Sequence, residues 1–192
     1  MVTNHGIHEW KVTAGLPDTG GQNVFVNEMS TALADLGFRV TTANRGGYPH
    51  PADGSNRTGT RFRRAEERIV YLEDSSNEFI RKEDMNSQTQ ELGRDLARRL
   101  SDEGSTPVLI VSHYWDGASV AEVARNELEL QDVPHVWIPH SLGKLKKANT
   151  DSSQWERLRI DERIEEEERL LEHLDAVVHT SQAIADSLRD DY

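Results

Sequence analysis

Short apolar segments rich in β-branched residues alternate along the chain with longer amphipathic segments. The short segments predict buried strands at 38–45, 68–73, 107–114, 135–141 and 176–181. The amphipathic segments predict helices at 20–36, 83–102, 117–130 and 155–173. Buried strands that alternate with helices indicate a parallel sheet with helices on both faces. The predicted fold class is therefore α/β, as a single Rossmann-like domain that spans residues 1–192.

Two segments depart from this alternation. The amino-terminal segment "MVTNH" has the pattern of the last residues of a first strand. A central parallel strand carries several apolar residues, and here only Met1 and Val2 are apolar, so either this strand is short or the start of the chain has lost a few residues. Residues 46–60, "GGYPHPADGSNRTGT", predict a mobile loop because glycine, proline and small polar residues predominate.

The first predicted helix begins at Gly20, Gly21 and Gln22, and Gly37 is placed to end it. Glycine is a poor helix former, so two glycines at a helix start need a reason. One explanation is that the free N–H groups and the positive end of the helix dipole hold an anion. The other is a tight turn without a ligand, and the two glycines by themselves favour this second explanation.

Three histidines, His5, His113 and His140, each follow a different predicted strand. Ligands bind outside the carboxyl ends of parallel strands, so three histidines at this edge indicate a site more than ordinary packing. A zinc site is an alternative that the spacing disfavours, because the histidines lie in separate loops with no paired ligand pattern and few acids nearby.

The run "KLKK" at 144–147 holds three of the five lysines in the chain and comes directly after a predicted strand. In a chain so poor in lysine, this cluster indicates a phosphate-binding site. Lys82 and Arg163 are placed to complete an anion pocket. For Arg163 the alternative is a surface ion pair with Asp161, Glu166 or Glu167.

Acidic residues outnumber basic ones by 34 to 22, which gives a net charge of −12. Nucleic acid is not an expected partner, because a phosphate-backbone surface needs clustered basic residues. The scarcity of lysine suggests a salt-rich habitat, with an acidic protein of an ordinary habitat as the alternative. The chain has no cysteine, no apolar run of the roughly 20 residues that span a membrane, and no secretion signal. We expect a soluble, cytoplasmic protein without a membrane partner.

Three motifs, "DTGGQNVFVNEMSTALADLGFRVTT", "SHYWDGASVAEVA" and "IPHSLGKLKK", occur in this order and spacing. Together they resemble the amino-terminal, acceptor-binding domain of the sucrose-phosphate synthase group, which includes sucrose synthase and mannosylfructose-phosphate synthase and belongs to the retaining glycosyltransferases of family 4. The resemblance extends from "NHG" to "HTSQAIADSL". It implies one half of a GT-B architecture, in which two Rossmann-like domains face each other across a cleft.

The resemblance also implies roles for individual residues. The backbone at Gly20 and Gly21 approaches the donor diphosphate, Gln22 helps to hold the acceptor sugar, and His140 is the catalytic histidine beside the transferred sugar. Tyr114 and Asp116 line the acceptor pocket. The phosphate of fructose 6-phosphate is held at three basic positions: Lys82, Lys146 and Arg163.

The implied activity is transfer of a hexose from a nucleotide sugar, UDP-glucose or GDP-mannose, to fructose 6-phosphate. No tightly bound cofactor and no metal is implied. The donor-binding domain lies outside this sequence, so the chain alone is not expected to catalyse transfer. A non-catalytic sugar-phosphate-binding or regulatory module is the alternative, and a lipid or protein acceptor is disfavoured by the three basic positions. We expect the donor-binding domain or a second copy as partner, with Trp10, Trp115 and Trp155 as candidates near the contact surface and an ordinary core position as the alternative for each.

Overall fold

The computed structural model describes residues 1–13 and 15–192. Its strands are β1 (Val40–Arg45), β2 (Gly59–Arg64), β3 (Glu67–Leu72), β4 (Ile110–His113), β5 (His135–Ile138) and β6 (Ala176–Val177). Its α-helices are α1 (Gly21–Asp35), α2 (Thr89–Asp102), α3 (Tyr114–Glu127), α4 (Gly143–Ala148), α5 (Ile160–Leu171) and α6 (Gln182–Asp190). Short 3-10 helices lie at Lys82–Gln88 and Ser152–Gln154.

The strands form two groups, in the orders β2-β3-β1 and β4-β5-β6. Val2 pairs in parallel with both Ala43 of β1 and Ser112 of β4, so the amino-terminal segment lies between the two groups. Every named strand pair is parallel except β2 with β3. The predicted α/β class with a parallel sheet is confirmed.

The edge strand β2 was not predicted from the sequence, because its first residues lie in the expected loop at 46–60. This strand is exposed along most of its length and contains three arginines in six residues, so it lacks the apolar pattern of a buried strand. At the other edge, β6 covers only two residues of the predicted strand 176–181. Edge strands carry the weakest pattern because one side of each meets solvent.

Helix α1 confirms the helix predicted at 20–36, and Gly37 ends it as predicted. Gly37 has a φ of 95°, and its N–H donates to the Ala34 carbonyl oxygen at 3.0 Å. The N–H of Phe38 donates to the Leu33 carbonyl oxygen at 3.1 Å, which completes a Schellman cap. The buried face of α1 is largely polar, since it includes Asn23, Asn27 and Ser30. The side-chain amide of Asn23 donates to the Ile7 carbonyl oxygen and so holds the segment that follows Val2.

The core lies where α2 and α3 pack against each other and against the sheet. Gly93 allows this approach, since a Cβ at Gly93 would lie 2.4 Å from the Cβ of Val123. Trp115 is 4 % exposed within this core. The expectation that Trp115 lies on a contact surface is therefore wrong, whereas Trp10 and Trp155 are both partly exposed.

Candidate functional site

The polar segments singled out in the sequence meet at the carboxyl ends of the parallel strands. Residues 4–6 follow Val2, His113 is the last residue of β4, and residues 139–142 lead from β5 into α4. The start of α1 belongs to the same region, because Gln22 donates from Nε2 to the hydroxyl of Thr3 at 3.0 Å. This is the edge at which open parallel sheets bind ligands.

Lys82, Lys146 and Arg163 line a single pocket, together with the ring of Tyr114. They come from three separate elements: the 3-10 helix after β3, the helix α4 and the helix α5. The pocket also contains Arg159, a fourth basic residue that sequence reasoning missed. Arg159 lies directly before α5 with a φ of 47°, and no sequence pattern distinguishes it from the other arginines of that acidic segment.

Each basic side chain of this pocket already contacts a carboxylate of the same chain. The Lys82 Nζ atom lies 2.5 Å from Oδ1 of Asp18, and the Lys146 Nζ atom lies 3.3 Å from Oε1 of Glu83. Burial acts to lower the pKa of Lys82, but the hydrogen bond that Lys82 donates to Asp18 and the negative charge of Asp18 raise it overall. Burial lowers the pKa of Lys146, and Glu83 offsets only part of that effect. Lys146 has the more distant carboxylate partner. A bound anion would therefore stabilise the charged form of Lys146 more than that of Lys82.

Arg163 is held inside the protein, with 5 % of its surface exposed. Its Nε donates to Oε1 of Glu167 at 2.7 Å, and a terminal nitrogen donates to the Ser141 carbonyl oxygen at 2.6 Å. The other terminal nitrogen donates to the Tyr114 hydroxyl. The ion pair with Glu167 exists, but it is buried, so the alternative of a solvated surface pair is wrong. Arg163 connects the residues after β5 to the wall of the pocket.

Tyr114 occupies a special backbone position at the junction of β4 and α3, with a φ of 64°. Its carbonyl oxygen accepts a hydrogen bond from the indole nitrogen of Trp137 at 2.9 Å. The Arg163 guanidinium lies 4.3 Å from the centre of the Tyr114 ring. These contacts fix the ring, and burial raises the pKa of its hydroxyl, which stays protonated and able to form hydrogen bonds.

His113 and His140 form a directly hydrogen-bonded pair, with Nδ1 of His113 3.0 Å from Nε2 of His140. Their rings are stacked with centres 5.2 Å apart, and the ring of Phe25 meets His140 edge-on at 5.1 Å. Burial lowers the pKa of His140 to about 4, and it lowers the pKa of His113 well below its usual value. Both imidazoles are therefore neutral near pH 7, so one of the two ring nitrogens in this contact donates its N–H and the other accepts it.

The start of α1 leaves open space beside the two glycines. A Cβ built on Gly20 or on Gly21 would meet no heavy atom within 4 Å. No packing against the described residues therefore requires glycine there, and the first turn of α1 has no acidic residue at the positive end of the dipole. The space remains available to a group from outside the chain.

Asp116 lies behind the pocket and not on its surface, because its side chain is completely buried. Its two carboxylate oxygens lie 3.0 and 3.2 Å from Nδ1 of His5. His5 in turn meets the Tyr114 ring edge-on, with ring centres 4.5 Å apart. Among the described residues, no group of three histidines or carboxylates is arranged to hold a metal ion. No helix in the described part of the chain is long and apolar enough to cross a membrane.

Comparison with known proteins identifies the family. Residues 20–192 match the family model described as a glycosyl transferase 4-like domain. The chain belongs to this family. The glycosyl transferase 4-like domain thus includes α1, the histidine pair and the pocket with its four basic residues.

Three curated relatives illustrate the range of the glycosyl transferase 4-like family. Mannosylfructose-phosphate synthase of Agrobacterium fabrum is 29% identical over all of this chain and 42% of its own length. Probable sucrose-phosphate synthase of Thermosipho melanesiensis is 25% identical over 86% of this chain and 39% of its own length. D-inositol 3-phosphate glycosyltransferase 2 of Catenulispora acidiphila is 33% identical over 70% of this chain and 30% of its own length. The chain spans about two fifths of the first two relatives.

A solved structure agrees with the fold. Sucrose-phosphate synthase from Thermosynechococcus elongatus superimposes with a TM-score of 0.78 at 24% identity, over 98% of this chain and 44% of that chain. The resemblance to the sucrose-phosphate and mannosylfructose-phosphate synthases is confirmed by these relatives, and the GT-B half is confirmed as the fold.

Proposed function

We propose that this chain is the acceptor-binding half of a retaining glycosyltransferase that moves a hexose from a nucleotide sugar to fructose 6-phosphate. The observation that carries the proposal is the convergence of Lys82, Lys146 and Arg163 on one pocket lined by Tyr114. Three separate elements supply these cations, and positive charge in a pocket at the strand ends suits a phosphorylated ligand. The three relatives described above are also named after sugar phosphates or an inositol phosphate.

The chemistry expected of these residues is positioning and charge stabilisation. The sugar phosphate displaces the carboxylates of Asp18 and Glu83 from the two lysines and places its hydroxyl groups toward the start of α1. The open backbone at Gly21 faces the donor diphosphate, as suits a helix N-terminus. Neutral His140 exchanges hydrogen bonds with the transferred sugar beside it. Front-face attack with retention needs no side-chain nucleophile. Positioning of the two substrates and stabilisation of charge in the transition state therefore supply most of the rate acceleration.

Calorimetry tests the acceptor assignment directly. We expect fructose 6-phosphate to bind weakly to the chain and fructose to bind more weakly still. Lys146→Met should reduce the affinity for fructose 6-phosphate about tenfold, as the loss of one charge-assisted contact predicts. The matched control is Lys147→Met, because the neighbouring Lys147 pairs with Asp161 at 2.5 Å outside the pocket. Equal binding of both sugars, or equal losses in both variants, would refute the assignment.

Inositol phosphate is a second candidate acceptor, because several relatives are named D-inositol 3-phosphate glycosyltransferases. The same titration with D-inositol 3-phosphate decides between the two ligands by their relative affinities. A non-catalytic sugar-phosphate-binding module is the remaining alternative. Adding a separately expressed donor-binding domain distinguishes it, since restored transfer supports a half-enzyme and binding without transfer supports the module.

A further inference from the structure

The carboxylate of Glu167 accepts hydrogen bonds from three separate parts of the chain. Its Oε1 accepts from Nε of Arg163 at 2.7 Å, and its Oε2 accepts from the backbone N–H of Gly143 at 2.8 Å. The hydroxyl of Tyr192, just beyond the end of α6, donates to the same Oε2. Glu167 is 0 % exposed and lies behind the pocket wall. Any effect of Glu167 on a ligand in the pocket therefore passes through these partners.

The first of these contacts sets the direction of the Arg163 guanidinium. This group has five N–H bonds in one plane. Four of them are directed at protein acceptors: one at Glu167, one at the Tyr114 hydroxyl, and two at the carbonyl oxygen and hydroxyl of Ser141. The fifth belongs to the nitrogen that contacts Tyr114, which lines the pocket together with Arg163. Because the group is planar, the bond from Nε to Glu167 fixes the direction of the N–H that is left for a phosphate.

The second oxygen of Glu167 holds the segment that carries His140. Gly143 is the first residue of α4, three positions after His140. A Cβ built on Gly143 would lie 2.6 Å from Cγ1 of Ile164 and 3.0 Å from Oε2 of Glu167, so only glycine allows this close approach to α5. His140 has a φ of 57°, a conformation that a residue other than glycine keeps only where its surroundings hold it.

Arg163 binds this same segment, because one of its terminal nitrogens donates to the Ser141 carbonyl oxygen at 2.6 Å. The backbone that directly follows His140 is therefore fixed at Ser141 by Arg163 and at Gly143 by Glu167, and these two side chains are bonded to each other. The phosphate pocket and the histidine pair thus share one buried ion pair as their support.

We propose that Glu167 is a positioning residue that couples the phosphate pocket to the segment that carries His140. One carboxylate oxygen orients Arg163 toward the ligand and the other holds Gly143, so an anion bound at Arg163 also steadies this segment. The inference rests on the proposed function, because it needs a sugar phosphate in the pocket. Its consequence is that the acceptor phosphate supplies more than affinity, since a sugar without phosphate leaves the segment of His140 less firmly held.

Amide hydrogen exchange followed by NMR tests this coupling without any measurement of activity. In the unmodified chain, saturation with fructose 6-phosphate should slow exchange of the Gly143 N–H about tenfold, within the usual range of coupling between two sites. The matched control is the N–H of His135 at the other end of β5, which also donates to a carboxylate, Oδ2 of Asp175, at 2.7 Å. Its exchange should be the same with and without the sugar phosphate.

Two variants separate coupling from packing. Glu167→Gln keeps the size of the side chain, but an NH2 group replaces one oxygen, so the amide cannot accept from both Arg163 and Gly143. The effect of fructose 6-phosphate on Gly143 should then fall below about twofold. Tyr192→Phe removes only the third hydrogen bond and should retain an effect of at least about fivefold.

The unmodified chain alone decides the matter if Glu167→Gln does not fold. Binding of fructose 6-phosphate with no change in Gly143 exchange would overturn the coupling and leave the proposed function standing. A folded Glu167→Gln that retains the full effect, or a Tyr192→Phe that loses it, would also overturn the role of Glu167. If fructose 6-phosphate does not bind to the unmodified chain, the proposed function fails and the coupling fails with it.

Discussion

Lys82 places its ammonium nitrogen 2.5 Å from a carboxylate oxygen of Asp18, and its backbone N–H donates to the other oxygen of the same carboxylate at 3.0 Å. Asp18 thus pairs with one of the basic residues that line the pocket we assign to a sugar phosphate. A phosphate that binds at Lys82 must compete with this carboxylate. A phosphate at Lys82 would therefore replace a carboxylate and would not bind to a lysine without a partner.

Removing the charge of Asp18 should therefore strengthen phosphate binding. In Asp18→Asn the amide oxygen can still accept the backbone N–H of Lys82, while Nζ is released to the ligand. We expect fructose 6-phosphate to bind about threefold to tenfold more tightly by calorimetry. The control is Asp161→Asn, which breaks the pair with Lys147 outside the pocket and should leave the affinity unchanged. Weaker binding in Asp18→Asn would show that the carboxylate itself contacts the sugar.

Arg163→Met should destabilise the protein strongly. The substitution leaves Glu167, which is 0 % exposed, without its main charged partner in the interior. Breaking a buried pair in this way costs about 3–5 kcal/mol of unfolding free energy. Urea denaturation measures the change, with Arg189→Met as control because Arg189 forms only exposed pairs with Asp186 and Asp190. Similar losses in the two variants would contradict the buried role of Arg163.

Stability should fall as the pH is lowered from about 6.5 toward 4. Burial lowers the pKa of His8 and of His135 to about 4, and it also lowers the pKa of His113. The unfolded chain binds protons at these groups near pH 6.5 while the folded chain does not, so their contribution is complete above pH 6.5 and is lost below it. At pH 5 the loss is about 2 kcal/mol for each fully buried histidine.

Urea denaturation at pH 7 and pH 5 checks this pH dependence. His135→Gln can keep a hydrogen bond to the Ser112 hydroxyl, which lies 2.8 Å from Nε2 of His135, and should show a smaller loss between the two pH values. The exposed His173→Asn should show the same loss as the unmodified chain. An unfolding free energy that does not change with pH would contradict neutral burial of these rings.

The isolated chain should associate at micromolar concentration and should not transfer hexose from a nucleotide sugar. Val24 and Phe25 are 48 % and 37 % exposed at the start of α1, beside the histidine pair, where a second domain would meet the cleft. Val24→Ser should weaken association in light scattering. Val108→Ser is the control, since Val108 is 74 % exposed before the start of β4, at the opposite edge of the sheet. A monomer at high concentration would contradict this prediction.

The sequence predicted those elements whose pattern is local. Helix α1 and its end at Gly37 follow from residues within one short segment. The strands β3 and β5 have the apolar runs that are typical of strands buried on both faces of a sheet. The resemblance to the sucrose-phosphate synthase group predicted one shared site for Lys82, Lys146 and Arg163, and the structure places all three around one pocket.

The pairs that tune the site could not be predicted. Asp18 and Lys82 are separated by 64 positions, and His5 and Asp116 by 111. Contacts at such separations depend on the three-dimensional register of the loops, for which a single sequence has no local signal. The left-handed backbone of Tyr114 is equally unexpected, since a bulky residue rarely adopts it. Tyr114 has this conformation where β4 ends at His113 and α3 begins directly after it.

Val2 pairs with both β1 and β4, so the amino-terminal segment separates the two groups of strands. Strands in a sheet lie about 4.8 Å apart, so one intervening strand separates β1 from β4 by about 10 Å. The helix that follows the amino-terminal segment presents Gly20 and Gly21, while β4 and β5 present His113 and His140. A ligand that contacts both groups would reach from the start of α1, which packs on β1, to the residues that follow β4 and β5.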